Sequence, residues 1–195
     1  MIPDAELSDS ELVARALAGE KAPFTELMGR HKSGLYRFIR RYVGDNEDVY
    51  DLLQDSFLSA WFALKRYDSN RSFSTWLRSI ALNKCRDWSR RRAIRSWLTR
   101  SEPLDSPVAL AVPDSGLSPE AIIGKHQFLA QLDRTIVQLP QTIKEPFILT
   151  IIDGLTHEEV GKLLGLSAKA VELRVYRARK MLAEKLGQNL NLQDL

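Results

Sequence analysis

The sequence predicts an all-α protein made of two small helical domains joined by a flexible linker. Apolar residues recur every three to four positions through most of the chain, and no segment alternates apolar and polar residues as a strand would. Four of the eight prolines fall within residues 101–119, between two helical stretches. Because closely spaced prolines prevent a helix, we expect this segment to be extended and mobile.

Four helices are expected before the linker. Ser8 and Glu11 have the spacing of a capping box, which begins the first helix, and Gly19 can end it. The helical period then resumes three times after short polar breaks. These three helices are expected at about residues 24–43, 46–67 and 71–92.

Four more helices are expected after the linker. Ser118 followed by Pro119 is a cap with proline at the first helical position, and Thr156 with Glu159 forms a second capping box. The helices are expected at about residues 119–138, 140–153, 156–164 and 167–186. The predicted organisation is a first domain at 1–95, a linker at 96–118, a second domain at 119–187 and a tail at 188–195.

Composition and charge narrow the class of protein. The chain of 195 residues is 44% hydrophobic, enough for a buried core, and its net charge of +3 permits a polyanionic partner. Its single cysteine, Cys85, cannot form an internal disulfide, which is typical of a reducing compartment. The first residues are polar and acidic, unlike a secretory leader, and the apolar stretch 147–152 is too short to span a bilayer. We therefore expect a soluble cytoplasmic protein.

The last two expected helices have the spacing of a DNA-binding helix-turn-helix. Gly161 is small where the second helix must approach the first closely. Gly165 lies at the turn, and Val171 points back into the helix pair. The face opposite the core of the last helix, with its flanks, carries cations for phosphates and side chains able to reach bases. The alternative is a solvated charged face on a structural helix. The predicted DNA contacts are Lys169, Glu172, Leu173, Arg174, Tyr176, Arg177, Arg179 and Lys180.

The expected helix at 46–67 is apolar on two sides. One stripe, Val49, Leu53, Phe57, Ala60 and Leu64, is sufficient to bury it. The opposite side carries Leu58, Trp61 and Phe62 beside Asp51, Gln54 and Asp55. Full burial is the alternative, but it would remove two carboxylates from water at high cost. Large apolar side chains in a polar setting favour a protein interface.

The expected helix at 71–92 combines a core seam with a basic face. Leu77, Ile80, Ala81, Cys85 and Trp88 form the seam, whereas Ser79, Asn83, Arg86 and Arg90 form the polar face, with Trp76 at its margin. The loop KRYDSNRSF, residues 65–73, lies just before it. Cations interleaved with aromatic rings are typical of single-stranded nucleic-acid binding. The alternative is that the rings only fill the core and the arginines are only solvated.

The sequence argues against an enzyme, a metal site or a cofactor. His31, His126 and His157 are scattered, Cys85 falls on a core seam, and no ligand spacing indicates a metal. Asp51 and Asp55 lie one turn apart, but no other ligand is expected to converge on them. A stand-alone transcriptional regulator remains an alternative, although it leaves the two-faced helix and the basic aromatic stretch unexplained.

Together these segments resemble the extracytoplasmic-function sigma factors, the smallest class of promoter-specificity subunits of bacterial RNA polymerase. Family region 2 is similar to residues 8–95, notably DVYDLLQDSFLSAW and FSTWLRSIALNKCRDWSRR. Region 4 is similar to residues 139–182. The two motifs occur in the family's order and cover nearly the whole chain.

The resemblance implies two binding surfaces on region 2 and one on region 4. The implied contacts to core RNA polymerase are Asp51, Leu52, Gln54, Asp55, Leu58 and Trp61. The implied contacts to the −10 element and its melted strand are Lys65, Arg66, Tyr67, Asn70, Arg71, Phe73, Trp76, Arg78, Asn83, Arg86 and Arg90. Region 4 would read the −35 element in the major groove. The resemblance also implies an anti-sigma factor as a partner, and a linker near the RNA exit path.

The recognition helix departs from the common family pattern. The family often has Gly-Thr before the valine of this helix, followed by Arg or Lys and then Ser, where this chain has Lys169-Ala170 and then Glu172-Leu173. A carboxylate can accept from a cytosine amino group, and an apolar side chain can meet a thymine methyl. We therefore expect Glu172 and Leu173 to set the −35 preference.

Overall fold

The computed structural model of the chain describes residues 7–44, 46–99 and 119–187. Within these residues the protein consists of eight α-helices with one 3-10 turn and one π-helical segment, and no strand occurs there. The described residues group into two compact units, unit 1 with 7–39 and 47–99, and unit 2 with 40–44, 46 and 119–187. The predicted all-α class with two helical domains is confirmed. Most of the predicted linker, residues 100–118, and the tail at 188–195 lie outside the described residues.

The helices before residue 100 follow the predicted order. They are α1, Asp9–Leu17; α2, Ala22–Val43; α3, Asp48–Ala63; and α4, Phe73–Thr99. A 3-10 turn, Leu64–Arg66, continues α3 into the following loop. The helix predicted at 71–92 therefore extends by about two further turns at its C-terminal end. None of the described helices in either unit combines the length and apolar character that crossing a membrane requires.

A capping box begins α1, as the sequence predicts. The Ser8 side chain accepts from the Glu11 backbone N–H, and the Glu11 carboxylate accepts from the Ser8 backbone. The Ser8 hydroxyl, which also donates to the Glu11 carboxylate at 2.6 Å, and the Ser8 backbone N–H lower the pKa of Glu11, because both bonds favour its charged form. Asp9, in the first turn, then ties α1 to α2: its Oδ2 lies 2.6 Å from His31 Nε2, and Arg30 donates to its Oδ1 at 3.2 Å.

The core of unit 1 lies between α3 and α4, with α1 and α2 contributing. The predicted stripe of α3 is buried along its whole length, from Val49 to Leu64. On α4 the seam differs from the prediction at one position, because Leu82 is buried whereas Ile80 is only half-buried. The longest side chain of the seam, Trp88, donates its indole N–H to Asp48 on α3, with 2.7 Å between Nε1 and Oδ2.

Unit 2 contains the remaining helices. They are α5, Pro119–Val137; α6, Gln141–Phe147; α7, His157–Leu164; and α8, Ala168–Leu186. The core of unit 2 is mostly aliphatic, with the rings of Phe147 and of Tyr42, which also belongs to unit 2 and donates to Glu145 of α6 at 2.9 Å. It includes Leu132, Ile136, Leu139, Ile143, Phe147, Ile148, Leu149, Val160, Val171, Val175, Ala178 and Leu182.

The helix predicted over residues 140–153 changes geometry half-way. After α6 the chain winds as a π-helix, Ile148–Ile152, which ends with a hydrogen bond of 3.0 Å from the Asp153 N–H to the Ile148 carbonyl. Pro146 lies inside α6 and has no N–H to donate to the carbonyl four residues earlier, that of Thr142. Arg174 Nη1 of α8 lies 3.5 Å from this carbonyl oxygen and donates to it.

The turn between α7 and α8 has the geometry that the glycine spacing predicts. Gly165 ends α7 with φ +70°, a left-handed conformation that favours glycine. At Gly161 an added Cβ would lie 2.6 Å from the backbone carbonyl oxygen of Leu166. The turn therefore packs directly on the backbone of α7. Ser167 caps α8 by accepting from the Ala170 N–H at 3.1 Å.

Candidate functional site

The outer face of α3 is exposed although much of it is apolar. We use this name for Asp51, Gln54, Asp55, Leu58, Trp61 and Phe62, all of which are accessible to solvent. Leu58 is 55% exposed and Phe62 is 77% exposed, on a helix whose opposite face is fully buried. The predicted two-sided character of this helix is confirmed, and its apolar side chains are available to a partner.

Two residues near this face are held by unit 1 itself. Leu52 is only 4% exposed and packs in the core, and it also lines the groove beside Asp51 and Asp55, so its side chain offers little surface to polymerase. Trp61 lies against Phe24 of α2 in an edge-to-face arrangement, with 4.9 Å between the ring centroids. This contact fixes the orientation of Trp61 while leaving part of its ring exposed.

A groove of about 590 Å³ borders the acidic end of the outer face of α3. One wall carries the carboxylates of Asp48, Asp51 and Asp55, and the α4 side carries Arg91 and Arg95. The groove is thus lined by both signs of charge. A partner that docks here meets acidic groups on α3 and basic groups on α4.

The loop between α3 and α4 is organised around three aromatic rings. Tyr67, Phe73 and Trp76 form this aromatic cluster, with centroid separations of 5.3 to 5.7 Å. Tyr67 also donates from its hydroxyl to the Arg71 carbonyl at 2.7 Å, and its partial burial raises its pKa. Asn70 bonds to Asp68 through its backbone N–H and its side chain, at 3.0 and 2.9 Å.

The members of the predicted −10 set differ in accessibility. Phe73 is 1% exposed and forms the base of the aromatic cluster, so it supports the other rings and has no surface for a base to stack on. Trp76 and Tyr67 are half-buried, so part of each side chain is accessible to solvent. The cations on either side of the loop are exposed. They are Lys65, Arg66 and Arg71.

The basic face of α4 is partly neutralised within the helix. Arg90 forms an ion pair with Asp87, and Arg86 lies 3.4 Å from the Asn83 side-chain oxygen. Arg78 donates to the Ser74 hydroxyl. Partners within α4 therefore orient the side chains of Arg78, Arg86 and Arg90.

The predicted DNA-reading face of α8 is solvated at its centre. Lys169, Glu172, Leu173, Tyr176 and Arg177 are exposed, and the ring of Tyr176 is 62% accessible. Lys169 donates to the Glu172 carboxylate with 2.9 Å between Nζ and Oε2. This hydrogen bond, together with the lysine charge, lowers the pKa of Glu172, so the carboxylate is ionised at neutral pH and can only accept hydrogen bonds.

The flanks of the same face differ from its centre. Arg174 is half-buried and contacts the Thr142 carbonyl, so its guanidinium is partly committed to unit 2. Arg179 is also half-buried, whereas Lys180 is exposed and lies 4.0 Å from Glu184. These flanking cations border the face and do not form its centre.

Both halves of the chain match models of known protein families. Residues 27–98 match Sigma-70 region 2, and residues 129–182 match Sigma-70 region 4. The RNA polymerase sigma factor CnrH of Cupriavidus metallidurans is 37% identical over 182 residues, which cover 93% of this chain and 95% of CnrH. The ECF RNA polymerase sigma-E factor of Escherichia coli is 27% identical over 186 residues, which cover 93% of this chain and 95% of that protein. The chain is an extracytoplasmic-function sigma factor.

The fold of this sigma factor is also similar to that of a solved relative. The structure of CnrH in complex with the cytosolic domain of CnrY aligns with a TM-score of 0.65 at 33% identity, over 93% of this chain and 99% of CnrH. The helices that carry the three surfaces described above belong to the matched regions, since α3 and most of α4 fall within region 2, and α7 and most of α8 fall within region 4.

The sequence interpretation of this sigma factor assigned no role to the polar face of α2. Arg30, Gly34 and Arg37 follow one another at spacings of four and three residues, which places them on one helical face. The structure brings this face against α4, where Arg78 lines the same pocket. The spacing was the available signal, but the partner on α4 becomes apparent only in the tertiary structure.

The potential metal ligands that the structure describes do not cluster. Among the residues that the structure describes, no group of three or more His, Cys, Asp and Glu side chains is arranged to hold a metal ion. Cys85 is buried in the α4 seam, as predicted, with no exposed surface.

Proposed function

We propose that this sigma factor acts through three separate surfaces: the outer face of α3 for core RNA polymerase, the α3–α4 loop with α4 for the −10 element, and α8 for the −35 element. The proposed domain bounds are 1–95 for region 2, 96–118 for the linker, 119–187 for region 4 and 188–195 for the tail, although α4 continues to Thr99, four residues into the proposed linker. The factor acts in the cytoplasm and contributes binding energy and orientation. It carries out no bond chemistry of its own.

The observation that carries the polymerase assignment is the exposure of apolar side chains on the outer face of α3. A helix that already buries one full stripe gains nothing in its own fold from Leu58 and Phe62. Their position beside Asp51 and Asp55 matches the composition of a protein interface, with apolar anchors surrounded by charges. A basic partner surface would complement the carboxylates.

The −10 assignment is supported by the combination of rings and cations around the α3–α4 loop. Opening the duplex costs a few kcal/mol of stacking per step, on the order of the gain from capturing unstacked bases on protein rings. Trp76 and Tyr67 supply ring surface, and Lys65 and Arg66 supply exposed charge for phosphates. Because the single strand is present only after polymerase has opened the promoter, we expect the free chain to bind promoters weakly.

The −35 assignment is supported by the helix-turn-helix geometry of α7 and α8. The exposed centre of α8 combines Arg177 and Lys169 for phosphates with Glu172, Leu173 and Tyr176 for base edges. The half-buried Arg174 and Arg179 border this centre, and we assign them to the DNA backbone rather than to bases.

An anti-sigma factor is the proposed regulatory partner. CnrH, 37% identical to this chain, has been solved in complex with another protein, the cytosolic domain of CnrY. A regulator that covers the outer face of α3 would block polymerase binding, because both partners need the same apolar side chains.

Reconstituted transcription tests the proposal. Purified chain is added to core RNA polymerase, and run-off transcripts are collected from a library of genomic promoters. We expect the core enzyme to gain initiation at a defined set of promoters. If the chain has no effect on the core enzyme and alters initiation only by a polymerase that already carries a sigma factor, it is a stand-alone regulator and the proposal is overturned.

A matched pair of tryptophan variants tests the polymerase surface. We expect Trp61→Ala to weaken binding to core polymerase by more than 2 kcal/mol, about 30-fold, as is typical of a buried aromatic anchor. Trp97→Ala removes a tryptophan that is 81% exposed on α4, outside the outer face of α3, and is expected to bind normally. Equal binding by both variants, measured by competition for labelled core enzyme, would contradict the assignment.

A further inference from the structure

A small cationic pocket lies between α2 and α4 of unit 1, beside the predicted −10 surface. Its volume is about 190 Å³. From α2 it is lined by Arg30, His31, Gly34 and Arg37, and α4 contributes Ser74 and Arg78. Except for Arg78, none of these residues belongs to the surfaces assigned above. The pocket is therefore a separate feature of region 2 that needs its own explanation.

The charges around the pocket single out Arg37. Arg30 is engaged by Asp9 at 3.2 Å and by Glu26, and it also donates to the Leu7 carbonyl at 2.6 Å. His31 is engaged by Asp9 as well, with 2.6 Å between Nε2 and Oδ2. Arg37 is exposed and forms no hydrogen bond or ion pair with any residue that the structure describes. Its guanidinium is available to a ligand.

The lining favours an oxyanion. No carboxylate lines the pocket, and the Ser74 hydroxyl stands beside guanidinium donors. At Gly34, on the pocket wall, an added Cβ would lie 4.0 Å from Arg78 Nη2, so the wall is not tightly packed at this position. No Phe, Tyr or Trp lines the pocket, so it offers no ring of that kind for a base to stack on. Guanidinium groups recognise the oxygens of phosphate in a forked geometry.

The position of the pocket identifies the source of the phosphate. The His31 ring lies 5.2 Å from Phe73, and Phe73 lies 5.5 Å from Trp76 in the aromatic cluster. Ser74 of the pocket and Trp76 of the cluster both lie in the first turn of α4, with Phe73 in ring contact with both His31 and Trp76, so the pocket and the cluster lie at the same end of this helix. A strand with one base against Trp76 therefore passes close to the pocket.

We propose that this pocket binds one backbone phosphate of the unpaired non-template strand, with Arg37 as the main contact. The inference rests on the proposed function, because it requires region 2 to hold single-stranded DNA. It adds α2 to the nucleic-acid surface. It also assigns to the phosphate the role of fixing the path of the strand, while the aromatic cluster receives the bases.

The test measures binding of holoenzyme, formed from the full chain and core polymerase, to a labelled single strand of the −10 region of a promoter that it uses. Each phosphate of the strand is replaced in turn by an uncharged methylphosphonate. We expect one position at which this replacement weakens binding to the wild-type holoenzyme by about threefold to tenfold, as for a charge-assisted hydrogen bond that is partly exposed. For holoenzyme that carries Arg37→Gln, we expect the methylphosphonate at that position to cause no further loss of affinity for the strand.

Salt dependence gives a second readout of the same contact. Loss of one phosphate contact to a single strand reduces the slope of log K against log salt by about 0.7. We expect this change in Arg37→Gln and not in Lys32→Gln, which removes an exposed cation of α2 outside the pocket lining. Unchanged melting temperatures of both variants exclude misfolding.

The outcomes separate the pocket from the proposed function. A wild-type holoenzyme that fails to bind the strand overturns both. If the holoenzyme binds the strand but the losses of affinity caused by Arg37→Gln and by the methylphosphonate are independent, so that they multiply at every position, only the proposal about the pocket is overturned. If inorganic phosphate raises the melting temperature of the free chain in an Arg37-dependent way without any coupling to the strand, the pocket serves a free phosphorylated molecule, which also overturns the proposal.

Discussion

Trp88 on α4 donates its indole N–H to Asp48 on α3, with 2.7 Å between Nε1 and Oδ2. The bond joins the helix that carries the proposed polymerase surface to the helix that carries much of the proposed −10 surface. Asp48 lies in the first turn of α3, where a carboxylate also interacts favourably with the helix dipole. One hydrogen bond thus helps to fix the angle between two binding surfaces of region 2.

Removal of this donor should destabilise region 2. We expect Trp88→Phe to lower the free energy of unfolding by about 1–3 kcal/mol, because it removes the hydrogen bond and leaves a smaller ring in a buried site. Trp97→Phe is the matched control, since Trp97 is exposed and its replacement should change stability by less than about 0.5 kcal/mol. Urea unfolding followed by far-UV circular dichroism measures both. Similar midpoints for the two variants would show that the bond contributes little.

Two helical glycines should respond in opposite directions to the same substitution. Gly161→Ala places a Cβ 2.6 Å from the Leu166 carbonyl oxygen, so we expect a loss of about 1–3 kcal/mol from overpacking at the turn. Gly29→Ala in α2 meets no atom within 4 Å, and we expect a gain of about 0.5–1 kcal/mol from the reduced backbone entropy of the unfolded chain. Urea midpoints of the full chain test the pair. A stabilising effect of Gly161→Ala would contradict the close packing of the turn.

The capping box of α7 should make stability depend on pH in the acid range. Hydrogen bonds from the Thr156 backbone and hydroxyl lower the pKa of Glu159. The stabilisation is therefore complete above the pKa of the unfolded chain, about 4.3, and is lost as the pH falls through the lower pKa of the folded protein. We expect Glu159→Gln to be less stable than wild type at pH 7 and to approach it at acid pH.

Two further variants isolate this cap. Thr156→Ala removes the side-chain acceptor of the Glu159 N–H, 3.2 Å away, and should cost about 1 kcal/mol at neutral pH. Glu158→Gln changes an adjacent exposed carboxylate for which no capping contact exists, and its effect should be smaller. Thermal melts of the series between acid and neutral pH provide the measurement. A pH-independent difference between Glu159→Gln and wild type would rule out the assigned cause.

Base preference at the −35 element should depend on Glu172 and Leu173. The ionised Glu172 can accept from a cytosine amino group, and each such contact discriminates against a wrong base by about 1–3 kcal/mol. We expect Glu172→Ala and Leu173→Ala each to relax the preference at one position when holoenzyme selects from randomised −35 DNA. Arg177→Ala, at an exposed cation of the same face, should instead weaken binding to all sequences alike. Selection of the same bases by the Glu172 and Leu173 variants would refute this role.

Most of the fold could be predicted because helix signals are local. The capping boxes at Ser8 and Thr156, the glycine turn at Gly165 and the two-sided pattern of α3 all depend on residues within a few positions of one another. Such short-range patterns specify where a helix begins, where it ends and which stripe it buries. The π-helical segment after α6 was not predicted, although Pro146 was the visible irregularity.

The amino-acid sequence by itself determined the helices of this sigma factor, their order and the residue types on each face. Only the tertiary structure decided which of those residues reach solvent or one another. It buried Leu52 and Phe73 among the predicted contacts, turned Arg174 toward Thr142, and brought Arg37 to the same pocket as Arg78. The physical reason is range: helix periodicity acts over one or two turns, whereas burial and the meeting of charges depend on packing between helices far apart in the chain.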